Sequence, residues 1–151
     1  MIDAQILKKQ ILLKDMDEYE LGKIAKIVQK VSIKQGEVLF QEEDETRGLW
    51  LINNGKIQIS KMAADGWRQT LVVLGEGHFF GELAIIEKRK HVSKAEAMED
   101  TELFLIPKES FEELVADDCA LAMDFFKSMV VALSSNLRRM NDKFLSVLIS
   151  Y

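Results

Sequence analysis

The residues best suited to chemistry lie together in "FFGELAIIEKRKHVSK", residues 79–94. Two phenylalanines, a Gly-Glu pair and a short apolar run lead into Lys88, Arg89, Lys90 and His91, a basic loop in a chain of formal net charge −5. Such a loop could hold an anion; it could equally be a solvated loop that holds nothing. Catalysis has no comparable constellation. A metal-dependent enzyme needs several histidines and a carboxylate converging on one ion. This sequence has only His78 and His91, with no H-x-H pair. Its one cysteine, Cys119, leaves a zinc site short of ligands and excludes a four-cysteine iron–sulfur cluster within one chain. A haem held by His78 or His91 stays open and would show itself by colour. No nucleophile has an evident base beside it. No catalytic residue, no metal and no resident cofactor is expected.

The length of 151 residues suits a single domain, residues 1–151, with a real core. Hydrophobic residues make up 48% and charged residues 30%, which is ordinary for a soluble globular protein. The acidic balance argues against a general nucleic-acid surface. One cysteine permits no internal disulfide and suits a reducing cytoplasm. The N-terminus carries charges within its apolar stretch, unlike a signal peptide, and no apolar run reaches membrane-helix length.

Three zones must position the loop. Residues 3–30 read as helical, with Asp17 and Glu20 at capping-box spacing ahead of Leu21, Ile24, Ala25 and Val28. Residues 31–106 read as short strands. Asn54-Gly55 and Asp65-Gly66 stand between apolar runs as tight-turn signals, and further segments follow at "HFFG", "ELAII", "KAEAM" and "ELFLI". The fold class predicted is mainly β with flanking helices: a jelly roll with N-terminal helices and a long C-terminal helix. After Pro107 a short helix over 108–116 leads into a long helix over 119–149 with no Gly or Pro.

That long helix carries a second signal. Phe126, Val130, Leu133, Leu137, Met140, Phe144, Val147 and Tyr151 recur at spacings alternating four and three, the seam of a coiled coil. A homodimer through residues 120–150 is therefore expected. Ala122, Phe125, Met129, Ala132 and Leu148 form another face that could meet the chain's own domain.

The order helix, strands, long helix, with "FGELAII" late in the β-zone, resembles the cyclic nucleotide-binding domain family, the sensor domains of catabolite activators and of protein kinase A regulatory subunits. "GEVLFQEEDETRGLWLINNGKIQIS" is similar to the family's early strands, and "LGEGHFFGELAIIE" to the start of its phosphate-binding cassette. The resemblance covers roughly residues 10–148. It implies a cyclic nucleotide such as cAMP as candidate ligand, with Phe80, Gly81, Glu82, Leu83 and Ala84 supplying backbone donors and a carboxylate for the ribose hydroxyl. Gly permits the close approach, and a helix start offers free N–H groups. Arg89, His91, Val92 and Ser93 would complete the loop, and Asn136 would reach in from the long helix. Arg138 and Arg139 read as solvated.

One position departs from the family. Counted from Glu82, His91 stands where the family places an arginine, whose planar fork matches phosphate oxygens. Three readings follow. Arg89, Lys90 or a protonated His91 supplies the charge; or the cavity takes another small acid or apolar ligand; or it binds no small molecule, and the domain works through dimer contacts or a protein partner in trans. Direct DNA binding by these residues is not expected.

Overall fold

The computed structural model describes residues 2–149, so Tyr151 of the predicted seam lies outside the described residues. A short helix, α1 (Ala4–Leu7), is followed by a turn-rich stretch and by α2 (Glu18–Ile27). The helical zone predicted over 3–30 is thus interrupted and ends early. Leu12, Leu13 and Met16 are buried from turns, and the buried Gln10 amide donates to the Ile52 carbonyl at 2.9 Å, pinning that stretch to the sheet. The capping box is formed: the Asp17 side chain accepts from the Glu20 backbone N–H at 2.8 Å, and Glu20 accepts from that of Asp17 at 3.3 Å.

Eight strands follow: β1 (Gln29–Ile33), β2 (Val38–Phe40), β3 (Gly48–Asn54), β4 (Ile57–Met62), β5 (Arg68–Leu74), β6 (Phe79–Phe80), β7 (Lys94–Ala97) and β8 (Thr101–Pro107). They form two antiparallel four-stranded sheets, in the orders β1-β8-β3-β6 and β2-β7-β4-β5. Every connection between successive strands changes sheet except β4–β5, which makes a jelly roll. Asp65-Gly66 turns that one hairpin, with Met62 opposite Arg68. Asn54-Gly55, read as a second hairpin signal, instead carries the chain from one sheet to the other. Its turn chemistry is local, and Gly55 (φ +111°) is required because a Cβ there would strike Thr101.

The central strands β3 and β8 are buried on both faces. Leu49, Leu51, Phe104 and Ile106 point to the helices, where Leu21, Ile24, Phe111 and Phe125 join them. The alternate residues Trp50, Ile52, Leu103 and Leu105 fill the space between the sheets with Phe40, Ile57, Phe80 and Ala95. Alternation along one strand thus serves two cores. Between β6 and β7 lies α3 (Glu82–Ile86); the run "ELAII", listed with the strand-like segments, is a turn and a half of helix. Four apolar residues after Glu82 are too few for period to tell strand from helix.

Pro107 ends β8 and opens α4 (Lys108–Asp117), and α5 (Cys119–Ile149) follows. Asp118 fixes the base of α5: its carboxylate accepts from the Leu121 N–H at 3.0 Å and pairs with Lys23 of α2 at 2.7 Å. Ala122, Phe125 and Met129 are buried against the domain as expected, but Leu148 is exposed. Within the predicted seam, Phe126 and Leu133 are half-buried against the chain's own core. Val130, Leu137, Met140, Phe144 and Val147 are exposed, because the distal half of α5 leaves the β-roll.

Candidate functional site

A cavity of about 370 Å³ opens between β4, β5, the 79–93 segment and α5. The structure brings all ten candidate ligand-contacting residues to its wall: Phe80, Gly81, Glu82, Leu83 and Ala84 from β6 and the start of α3, Arg89, His91, Val92 and Ser93 from the loop, and Asn136 from α5. Local geometry explains the cup. Gly81 caps α3 in the left-handed region (φ 83°, ψ 5°), where a Cβ would also press on Trp50 at 3.2 Å. Of the first-turn N–H groups of α3, that of Glu82 meets its own carboxyl, and those of Leu83 and Ala84 have no acceptor within the helix and are available to a ligand. Lys88 takes a left-handed φ of 54°, and the Arg89 N–H donates to the Ala84 carbonyl at 3.0 Å, closing the far end.

His91 sits in a largely apolar setting. Its side chain is only 4% exposed, and its ring stacks on Phe40 with centroids 3.5 Å apart and planes 6° from parallel. Burial pushes its pKa below the ordinary value, and the nearby Asp44 offsets only part of that. The loop is held in place through the backbone: the His91 N–H donates to the Asp44 carbonyl at 3.0 Å, and the Glu43 N–H to the His91 carbonyl at 2.9 Å. Nε2 has no hydrogen-bond partner among the described residues. The His91 ring is therefore part of the wall.

Glu82 is the one carboxyl among the cavity-lining residues described. Burial raises its pKa, and a hydrogen bond from its own backbone offsets only part of the rise. A carboxyl whose folded pKa exceeds its unfolded value weakens the fold wherever it is ionised. The cost is absent below the unfolded pKa, grows as pH rises to the folded pKa, and stays constant above it. Glu82→Gln is accordingly expected to raise the ligand-free melting temperature at pH 7 by about 2 °C or more. The gain should vanish near pH 4. Thermal unfolding at the two pH values checks this, and a Gln variant less stable at pH 7 would contradict it.

The sequence missed part of the lining. Lys61 of β4 and Arg139 of α5 also face the cavity, as do Ile59, Leu71 and Leu74. Arg139 donates to the Asn136 Oδ1 at 3.3 Å, and no carboxylate lies within 4 Å of it among the described residues. No spacing rule links positions 61 and 139; only the fold joins them.

Residues 30–118 match the family model described as "Cyclic nucleotide-binding domain". The chain belongs to the cyclic nucleotide-binding domain family. Among the relatives of this cyclic nucleotide-binding domain, the Cyclic AMP receptor protein of Thermus thermophilus is 32% identical over 81 residues, 54% of this chain. The Anaerobic regulatory protein of Bacillus subtilis is 31% identical over 134 residues, 88% of this chain. The chain spans 38% and 54% of those two proteins' lengths. The crystal structure of Thermus thermophilus Catabolite Activator Protein superposes with a TM-score of 0.76 over 89% of this chain and 62% of that one, at 24% identity. The jelly roll with its long terminal helix is therefore the family's fold. No described helix of this domain is long and apolar enough to cross a membrane, and no cluster of three or more metal-ligating side chains occurs among the described residues.

Proposed function

We propose that this domain is the sensor part of a homodimeric regulator and that its cavity takes a small organic anion, a cyclic nucleotide or a ligand of similar size. The observation that carries this is the open cavity itself. It is walled by Phe40, Phe80, Leu83 and Val92, and it bears Lys61, Arg89, Lys90 and Arg139 against the half-buried carboxyl of Glu82. A concave, mostly apolar site with a few convergent polar groups is the usual form of a small-molecule site. The name of the Thermus thermophilus relative makes cAMP the first ligand to try. Ligand would act on α5, which lines the cavity at Asn136 and Arg139 and carries the exposed seam beyond. Such coupling requires that ligand favour one arrangement of α5 over another. Output then passes through the dimer or to a protein partner in trans.

Titration calorimetry and thermal shift with cAMP and cGMP, at pH 6 and pH 8, test the reading. Saturable binding of one ligand per chain is expected, with a Kd of roughly 10 μM or tighter for at least one of the two. The melting temperature should rise accordingly. Because burial lowers the His91 pKa, its charge should contribute little, and affinity should change by less than about threefold between the two pH values. No heat and no stabilisation at either pH would contradict a nucleotide sensor and favour a ligand-free interaction module.

A further inference from the structure

We propose that the acidic group of the ligand is held at the α5 end of the cavity, between Lys61 and Arg139, while its hydrophobic body lies against the cassette loop. This rests on the reading that the cavity takes a small organic anion, and it reverses the orientation that an arginine at position 91 would impose.

An inventory of the cations leads there. Arg89 is engaged within its own loop, its Nε 2.7 Å from Glu87, and Lys90 lies 3.8 Å from Glu45. His91 is buried face to face with Phe40. Lys61 and Arg139 differ: each lines the cavity, and neither has a carboxylate within 4 Å among the described residues. Arg139 touches only the side chain of Asn136, a neutral group that orients the guanidinium and leaves its charge unspent. It also lines an adjoining cavity of about 510 Å³, where Lys14 and Lys127 are balanced by Asp15 and Asp124 and Arg139 is the excess charge.

The cassette end offers the opposite chemistry. Phe40 and Phe80 lie 6.0 Å apart there, with Leu83, Val92 and the stacked His91 ring beside them. Glu82 would repel an anion placed close to it if ionised, and would donate a hydrogen bond if protonated. A ligand with an aromatic or aliphatic body and one phosphate, sulfonate or carboxylate fits this polarity. The planar fork of Arg139 suits two oxygens of such a group. An anion between Lys61 and Arg139 also ties β4 directly to α5, so that charge recognition and helix position become one event.

Calorimetry of the full chain with 1-naphthyl phosphate and with cAMP tests this. Lys61→Ala and Arg139→Ala should each weaken binding about ten-fold to hundred-fold, the range of a lost charge-assisted bond. Arg139→Lys should recover part of the loss, and Lys34→Ala, outside the cavity lining, should stay within about threefold of wild type. Ligand-free melting should be unchanged in these variants, since the substituted side chains are exposed. A ten-fold loss in Arg89→Ala, with Lys61→Ala and Arg139→Ala binding as wild type, would overturn the anchor assignment alone. Failure of the wild type to bind either probe at about 1 mM, the weak limit of a specific site, would overturn both this and the sensor reading.

Discussion

Replacing Leu137 and Phe144 together by Glu should turn the protein into a monomer at tens of micromolar. The two side chains are 59% and 63% exposed on α5, in the row that also holds Val130, Met140 and Val147. In the proposed dimer a second copy of the same helix would cover this apolar row in register. Burying each such side chain contributes about 1.5–3 kcal/mol. The double variant forfeits that from both chains and places four carboxylates in the seam, where unpaired charge is costly. Dissociation should therefore strengthen by several orders of magnitude. The monomer itself should keep its fold, because Glu is a good helix former and these positions lie beyond the β-roll. Analytical ultracentrifugation decides: a double variant still sedimenting as a dimer would place the interface elsewhere.

The second large effect is on the fold that holds the cup. Gly48→Ala should cost about 3 kcal/mol or more, the range of strain and overpacking at a fixed backbone. Gly48 opens β3 at φ +150°, and a Cβ there would run into the Ile106 carbonyl and lie 3.0 Å from Leu105 Cδ1. Neither can yield, because β3 and β8 are the paired central strands of their sheet. Gly48 also supports the site: its carbonyl and Trp50 are the atoms against which Gly81 packs. Gly22→Ala is the internal control. It sits within α2 with nothing within 4 Å of a new Cβ, and the same chemical change should stabilise there by about 0.5–1 kcal/mol. Urea unfolding of both variants reads the two signs. A Gly48→Ala variant as stable as wild type would mean that β3 and β8 can separate without cost.

What the sequence reveals and conceals follows from the range of each interaction. The capping box of Asp17 and Glu20, the Asp65-Gly66 hairpin and the long helix from Cys119 are local patterns, and the structure contains each. Asn54-Gly55 has the same local chemistry as Asp65-Gly66 yet crosses between sheets, because the partner strand is chosen by distant residues such as Thr101. The stretch around Leu12 and Leu13 has helical texture but is held in turns by contacts to β3. Within the site, the cassette residues are contiguous and could be named in advance. The burial of His91 could not, since Lys88, Arg89 and Lys90 give its surroundings the look of a solvated loop. Lys61 and Arg139 were hidden for a further reason: the charges that matter are those left without partners, and partners are set by the fold.

The most direct test of the ligand site is amide hydrogen exchange of the full chain, with and without saturating cAMP. Free N–H groups at the start of α3 that are covered by the body of the ligand or receive a ribose hydroxyl, and a segment of α5 drawn onto the β-roll by the anion, should both exchange more slowly. We expect protection at residues 80–84 and 132–140, with the outer faces of β1 and α2 unchanged. Exchange unaltered at both segments, or protection confined to the distal seam, would contradict a ligand site in the cavity beneath the cassette.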